Sequence, residues 1–157
     1  MADQSRARQR KFKQYKKINI MIKNIMVGII TGFVMLFSGM AINKLTHNLM
    51  PVIKTEYENN ALFRPWTDPL MSLYWLHPFI VSFILLWVWN FSKSLFKGES
   101  DLKKGLSFGL AYWIFTIPGM LISYSSFQVS LSMIISWTAA NLVQAICAGL
   151  IFSKLRS

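Results

Sequence analysis

The side chains able to do chemistry in this sequence are few, and most lie inside long apolar stretches. His77, Thr116, Tyr124, Asn141 and Gln144 are the polar groups embedded there that could form a path or pocket. Asn141 and Gln144 fall three residues apart, which puts both amides on one helix face. An amide in hydrocarbon is costly unless hydrogen-bonded. These groups therefore either pair with neighbouring helices or line a polar path or pocket for a neutral or weakly polar solute. His77 precedes Pro78, and a proline inside a helix leaves the carbonyl four residues back, that of Tyr74, without its donor. Pro118 does the same to Ile114. Both prolines are read as helix kinks. His77 is expected to be buried, neutral and hydrogen-bonded, with Thr116, Tyr124 or Asn141 as partner.

A histidine beside a carboxylate could serve as a general base. The candidates are His77 or His47 with Asp68 or Glu56. Other chemistries lack their residues. A lone cysteine, Cys147, excludes paired-thiol redox work, and the only two histidines, His47 and His77, give little support for a metal site. There is no Walker loop, no G-x-S-x-G and no nucleotide fingerprint. The residues therefore point to no catalytic centre, no cofactor and no metal.

The elements that position these groups follow from composition and charge. The chain has 157 residues, 54% hydrophobic and 15% charged, with a net charge of +11. Soluble domains carry roughly 25% charged residues. Disorder and a disulfide scaffold are both excluded by this composition. The charges are segregated from the apolar runs: Asn24–Asn43 holds 20 residues without a charge, Pro69–Ser92 holds 24, and Gly105–Ser153 holds 49. A hydrocarbon core of about 30 Å needs roughly 20 helical residues. The third run would measure about 74 Å as one helix at ~1.5 Å per residue, so it must turn back, and Tyr124-Ser125-Ser126 is its cluster of small polar residues.

The expected fold is all-α: a polytopic membrane protein with a four-transmembrane-helix bundle and spans near 24–44, 69–92, 104–123 and 128–153. Residues 1–23 form a basic cytoplasmic tail, 24–157 a single membrane domain, and 45–68 an outer loop. Pro51, Pro65 and Pro69 cut that loop into pieces too short for a stable free helix. Phe63, Trp66, Tyr74 and Trp75 sit where an interfacial aromatic belt belongs. The basic n-region suits a signal peptide, but the apolar stretch is long for one, so the first span is read as uncleaved.

Fourteen of the 17 lysines and arginines fall on one side of this map, and only Lys44, Lys54 and Arg64 on the other. Such an asymmetry orients spans with the basic side inward, which makes both termini cytoplasmic in a cell (plasma or inner) membrane. The positive charge then meets anionic lipid headgroups at the cytoplasmic face, rather than a nucleic acid. No Asp, Glu, Lys or Arg lies within the three uncharged runs that form the spans, and none of the spans holds a carboxylate, which argues against proton-coupled export through a buried carboxylate.

Small residues at spacing four mark close helix contacts in lipid. Gly28/Gly32 and Gly105/Gly109 are two such pairs, and Ser132, Ser136, Ala140, Gln144 and Ala148 form a longer row. Asn141, Ala145 and Gly149 make the row beside it, so span four should present the most protein-buried surface. The partner of these faces is another span, a second copy of the chain or another membrane protein. Gly28-x-x-x-Gly32 before Gly39-Met40, and Gly105-x-x-x-Gly109 before Gly119-Met120, hint at a duplicated hairpin. Three functions fit the sequence: a structural or accessory membrane component, a permease or channel for a neutral solute past His77, Thr116, Asn141 and Gln144, and a membrane-embedded enzyme at the outer face.

Overall fold

The computed structural model describes residues 2–96 and 100–156. The described chain is helical: α1 (Ala2–Leu49), α2 (Pro51–Tyr57), a 3-10 turn (Pro69–Met71), α3 (Ser72–Ser92), α4 (Asp101–Ser126) and α5 (Leu131–Leu155). Four helices are long and apolar enough to cross a membrane: α1 from Phe12, the turn with α3, α4 and α5. The described helices run antiparallel in sequence order, so the chain has a basic end, carrying Lys23, Lys93, Lys103 and Lys154, and a loop end, carrying residues 50–68 and 127–130.

The first helix is far longer than span 24–44. Its 48 residues would extend about 72 Å at ~1.5 Å per residue, so the basic tail is a continuation of the helix rather than a separate segment. The cause is local. Residues 2–23 are rich in Arg, Lys, Gln and Ala, and the first glycine is Gly28. The helix stops where Pro51 restricts the residue before it, and Met50 is extended at φ −132°, ψ 86°.

Within the outer loop, Pro51–Tyr57 is nevertheless helical. Seven residues would not stay helical alone, but α2 is docked. Ile53 is fully buried against Val129, Met133 and Ile134. The Glu56 carboxylate accepts the Ser130 backbone N–H at 3.2 Å on each oxygen, and the Trp137 indole N–H donates to the Tyr57 hydroxyl. Further on, Asp68 caps the 3-10 turn through the Leu70 N–H at 2.9 Å and holds Arg64 at 2.8 Å.

α3 runs through Pro78 and α4 through Pro118 without ending. α4 also continues through Tyr124-Ser125-Ser126, so the chain turns at 127–130, just after the expected place. Ser130 then caps α5 by accepting the Met133 N–H at 3.1 Å.

α5 is the hub. It packs along both α4 and α1 and also touches α3 and α2. Ser136, Ala140, Ala145, Ala148 and Gly149 are buried, Ser132 half-buried. Gly105 and Gly109 let α4 approach until their Cα atoms face α5 backbone: a Cβ on Gly109 would stand 2.6 Å from the Ala145 carbonyl oxygen. Gly28 and Gly32 are covered instead by the rings of Phe83 and Phe79 on α3. Ser82 ties that contact by donating to the Gly28 carbonyl at 2.8 Å. In each hairpin, then, the first helix uses its glycine pair on the second. These glycine pairs make their contacts within the chain.

At the basic end a dry core fills the bundle. Trp89 lies edge-on to Phe108 at 5.1 Å, Phe108 meets Phe96 at 5.4 Å and Phe152 at 6.2 Å, and Leu85, Leu86 and Met35 close the remaining space.

Candidate functional site

At the loop end the same helices do not close. Two adjoining cavities lie there, and they share Asn43, Tyr57 and Tyr74 as common wall. The inner chamber has a volume of about 190 Å³ and is bounded by α1, α2, α3, α4 and α5. A polar site needs only ~10–15 Å³ to hold one water, so the chamber has room for several water-sized groups. Its polar lining is Asn43, Tyr57, Tyr74, His77, Asn141 and Gln144, with Leu36, Pro78, Met120 and Ala140 among the apolar residues. Asn141 and Gln144 arrive from successive turns of α5, as their spacing requires, and Gly39 makes room on α1: a Cβ there would run into the Gln144 amide nitrogen.

Asn141 and Gln144 make no cross-helix hydrogen bond among the described residues. Asn43 donates to the Tyr74 hydroxyl at 3.3 Å, while the Asn43 Oδ1 and the His47 Nε2 are buried without a hydrogen-bond partner among the described residues. Buried polar atoms without partners are uncommon in proteins and destabilising. Here two of them flank the wall between the cavities. Tyr57 adds a donor: burial pushes its phenol above the ordinary value more than the Trp137 bond pulls it down, so it stays protonated at neutral pH.

His77 departs from expectation. Its ring is exposed on the chain's surface at the margin of the chamber, and it makes no hydrogen bond to Thr116, Tyr124 or Asn141. The helix turn that brings Pro78 inward, where it is buried, carries the preceding side chain outward. Thr116 and Tyr124 do not reach the chamber either. The Thr116 hydroxyl donates to its own helix at the Trp113 carbonyl, 2.7 Å away, and Tyr124 is exposed. α4 packs behind α5 and contributes only Met120 to the lining. Of the five expected polar residues, the fold therefore gathers His77, Asn141 and Gln144 and separates Thr116 and Tyr124.

Asn43, Tyr57 and Tyr74 are the chamber residues that sequence reasoning did not single out. Asn43 carried a signal: it lies one turn beyond Gly39 and two beyond Leu36 on the same face of α1. Tyr57 carried none, because its place depends on α2 docking onto α5.

The outer cavity, the vestibule, has a volume of about 590 Å³ and lies between α1 and the start of α3 under the loop. Lys44, Lys54 and Arg64 all line it, with His47, Tyr57, Phe63, Trp66, Tyr74 and Trp75. Trp66 meets Tyr74 edge-on at 5.4 Å and Trp75 at 6.5 Å. The carboxylates suggested as partners for a histidine base are engaged elsewhere. Glu56 binds the start of α5, and Asp68 is held below its ordinary value by the Leu70 N–H and by Arg64. Neither forms a hydrogen bond to His47 or His77.

The fold and the site thus define a small protein, all-helical in its described residues, with four membrane-span-length helices and a chamber with a partly polar lining in its loop half. No protein-family model matches the chain, and no curated protein or solved structure matches it.

Proposed function

We propose that the protein is a multi-pass component of the cell membrane whose loop end, on the outer side, receives a small neutral or weakly polar solute, as the receiving half of a permease path. The orientation rests on the placement of 14 basic residues on the side of the termini against three on the loop side. The solute reading rests on one observation: Asn43, Asn141, Gln144 and His77 converge on a single cavity of about 190 Å³ in the loop half of the bundle. The Asn141 and Gln144 amides, together with the Tyr57 and Tyr74 hydroxyls that accept from Trp137 and Asn43 and keep their own O–H to donate, offer both donors and acceptors, which suits a hydroxylated or amide-bearing solute and not an ion. A second reading, a structural or accessory membrane component, is favoured by the ring-packed basic end, where Trp89, Phe108 and Phe152 leave no through route.

Thiol labelling tests the proposal. In a Cys147→Ala background, a cysteine at Asn141 should react with a water-soluble maleimide added outside intact cells, and one at Leu85 should not. Equal protection of both positions removes the chamber. Labelling at 141 only from the cytoplasmic side reverses the orientation while leaving the chamber in place.

A further inference from the structure

The vestibule gathers every lysine and arginine of the loop side, Lys44, Lys54 and Arg64, around one cavity of about 590 Å³. Two of these cations have carboxylate partners. Arg64 is held by Asp68 at 2.8 Å, and Lys54 stands a loose 3.9 Å from Glu58 with both side chains 67% exposed. Lys44 has no carboxylate partner among the described residues, so the described cavity keeps an uncompensated positive charge. Such a charge recognises an anion.

The other walls say what kind of anion. Along α1 the lining runs Met40, Asn43, Lys44, His47, at the spacing of one helix face, so it passes from apolar to polar to cationic within two turns. Opposite stand Met71 and Trp75. A free inorganic anion has no use for a cavity lined mainly by apolar and aromatic surface, whereas an amphiphile matches it end for end. Its headgroup meets the cations, and its chains lie toward Met40 and Met71 and the apolar length of α1 and α3. Trp and Tyr at that boundary occupy the depth at which headgroups sit in a bilayer.

We propose that the vestibule binds the phosphate headgroup of an anionic phospholipid from the surrounding leaflet, with Lys44 as the principal cation and the Trp66–Tyr74–Trp75 cluster as the wall beside its glycerol region. The common wall of Asn43, Tyr57 and Tyr74 then sets the polar end of that lipid next to the chamber. This goes beyond the solute reading, because the lipid occupies the vestibule and not the chamber. It is tested separately, because binding at Lys44 and thiol access at 141 are independent readouts.

The experiment is a titration of the purified full chain in neutral detergent with a short-chain phosphatidylglycerol, followed by calorimetry and by the tryptophan emission. Saturable binding of one lipid per chain is expected, with an emission shift from Trp66 and Trp75. Lys44→Gln should weaken it about tenfold, the loss of one charge-assisted contact, while Lys23→Gln at the basic end should leave it unchanged. Lys44 is exposed, so its variant keeps the fold; the thermal midpoint checks this. Equal losses for Lys44→Gln and Lys23→Gln, or no loss for either, overturn the assignment. Inorganic phosphate binding as tightly as the lipid overturns the lipid as source.

Discussion

At the basic end, α3, α4 and α5 enclose Trp89, Phe108 and Phe152, and no cavity of the site reaches them. At the loop end the same helices, with α1 and α2, surround Asn43, Asn141 and Gln144 and leave two adjoining cavities. The difference lies in what meets at each crossing. In lipid there is no hydrophobic drive between helices, so association depends on close fit and hydrogen bonds. The basic half has the fit: glycine against backbone between α4 and α5, aromatic rings over glycine between α1 and α3, and Ser82 bonded across. The loop half has glycine against a flexible amide at Gly39 and Gln144, and a proline facing a cavity rather than a helix. One end is closely packed, and the other is held partly by α2 and by the Glu56 and Tyr57 contacts across to α5.

Substitutions at the two ends should therefore differ in scale. Trp89→Ala, which removes a side chain only 1% exposed, should cost about 3–5 kcal/mol in detergent-unfolding experiments. Gln144→Ala should leave the unfolding midpoint almost unchanged. A large loss at Gln144 would mean that the amide is a structural tie and would break the contrast. A smaller effect is expected from adding a single methyl group. Gly109→Ala drives a Cβ into the Ala145 backbone and should cost about 1–3 kcal/mol. Gly39→Ala meets only the tip of Gln144, which can swing away, and should change stability little while narrowing the chamber and slowing labelling at 141.

The smallest effect concerns the loop. The Asp68 carboxylate is held below its ordinary value, first by the Leu70 N–H and then by Arg64. A lowered folded-state value stabilises the folded turn above the unfolded aspartate range, about 3.9, and that contribution is lost as pH falls through the folded value. Hydrogen exchange at Leu70 should accordingly speed up below about pH 4, with no change in the exchange of α5. Asp68→Asn should abolish this pH dependence. Parallel acceleration in α5 would show that the two ends unfold together.

Much of this organisation was legible in the chain. Uncharged runs of 20, 24 and 49 residues required four long helices, and the proline, glycine and amide positions on them follow from spacing alone. Asn141 and Gln144 had to share a face because a helix repeats every ~3.6 residues. The same periodicity placed Gly105 with Gly109 and Ser136 with Ala140.

Spacing along one helix says nothing about rotation against another. That is why His77 could be expected at the centre and lies at the margin, and why Thr116 lies outside the chamber although it is as polar as its neighbours. α2 marks the same boundary most plainly: alone, seven residues form no stable helix, and only the burial of Ile53 against α5 makes Pro51–Tyr57 helical and brings Tyr57 to the chamber wall. Hydrophobic length and charge asymmetry act locally and can be read residue by residue. Which polar groups meet depends on contacts between segments distant in sequence, and only the packed bundle sets those.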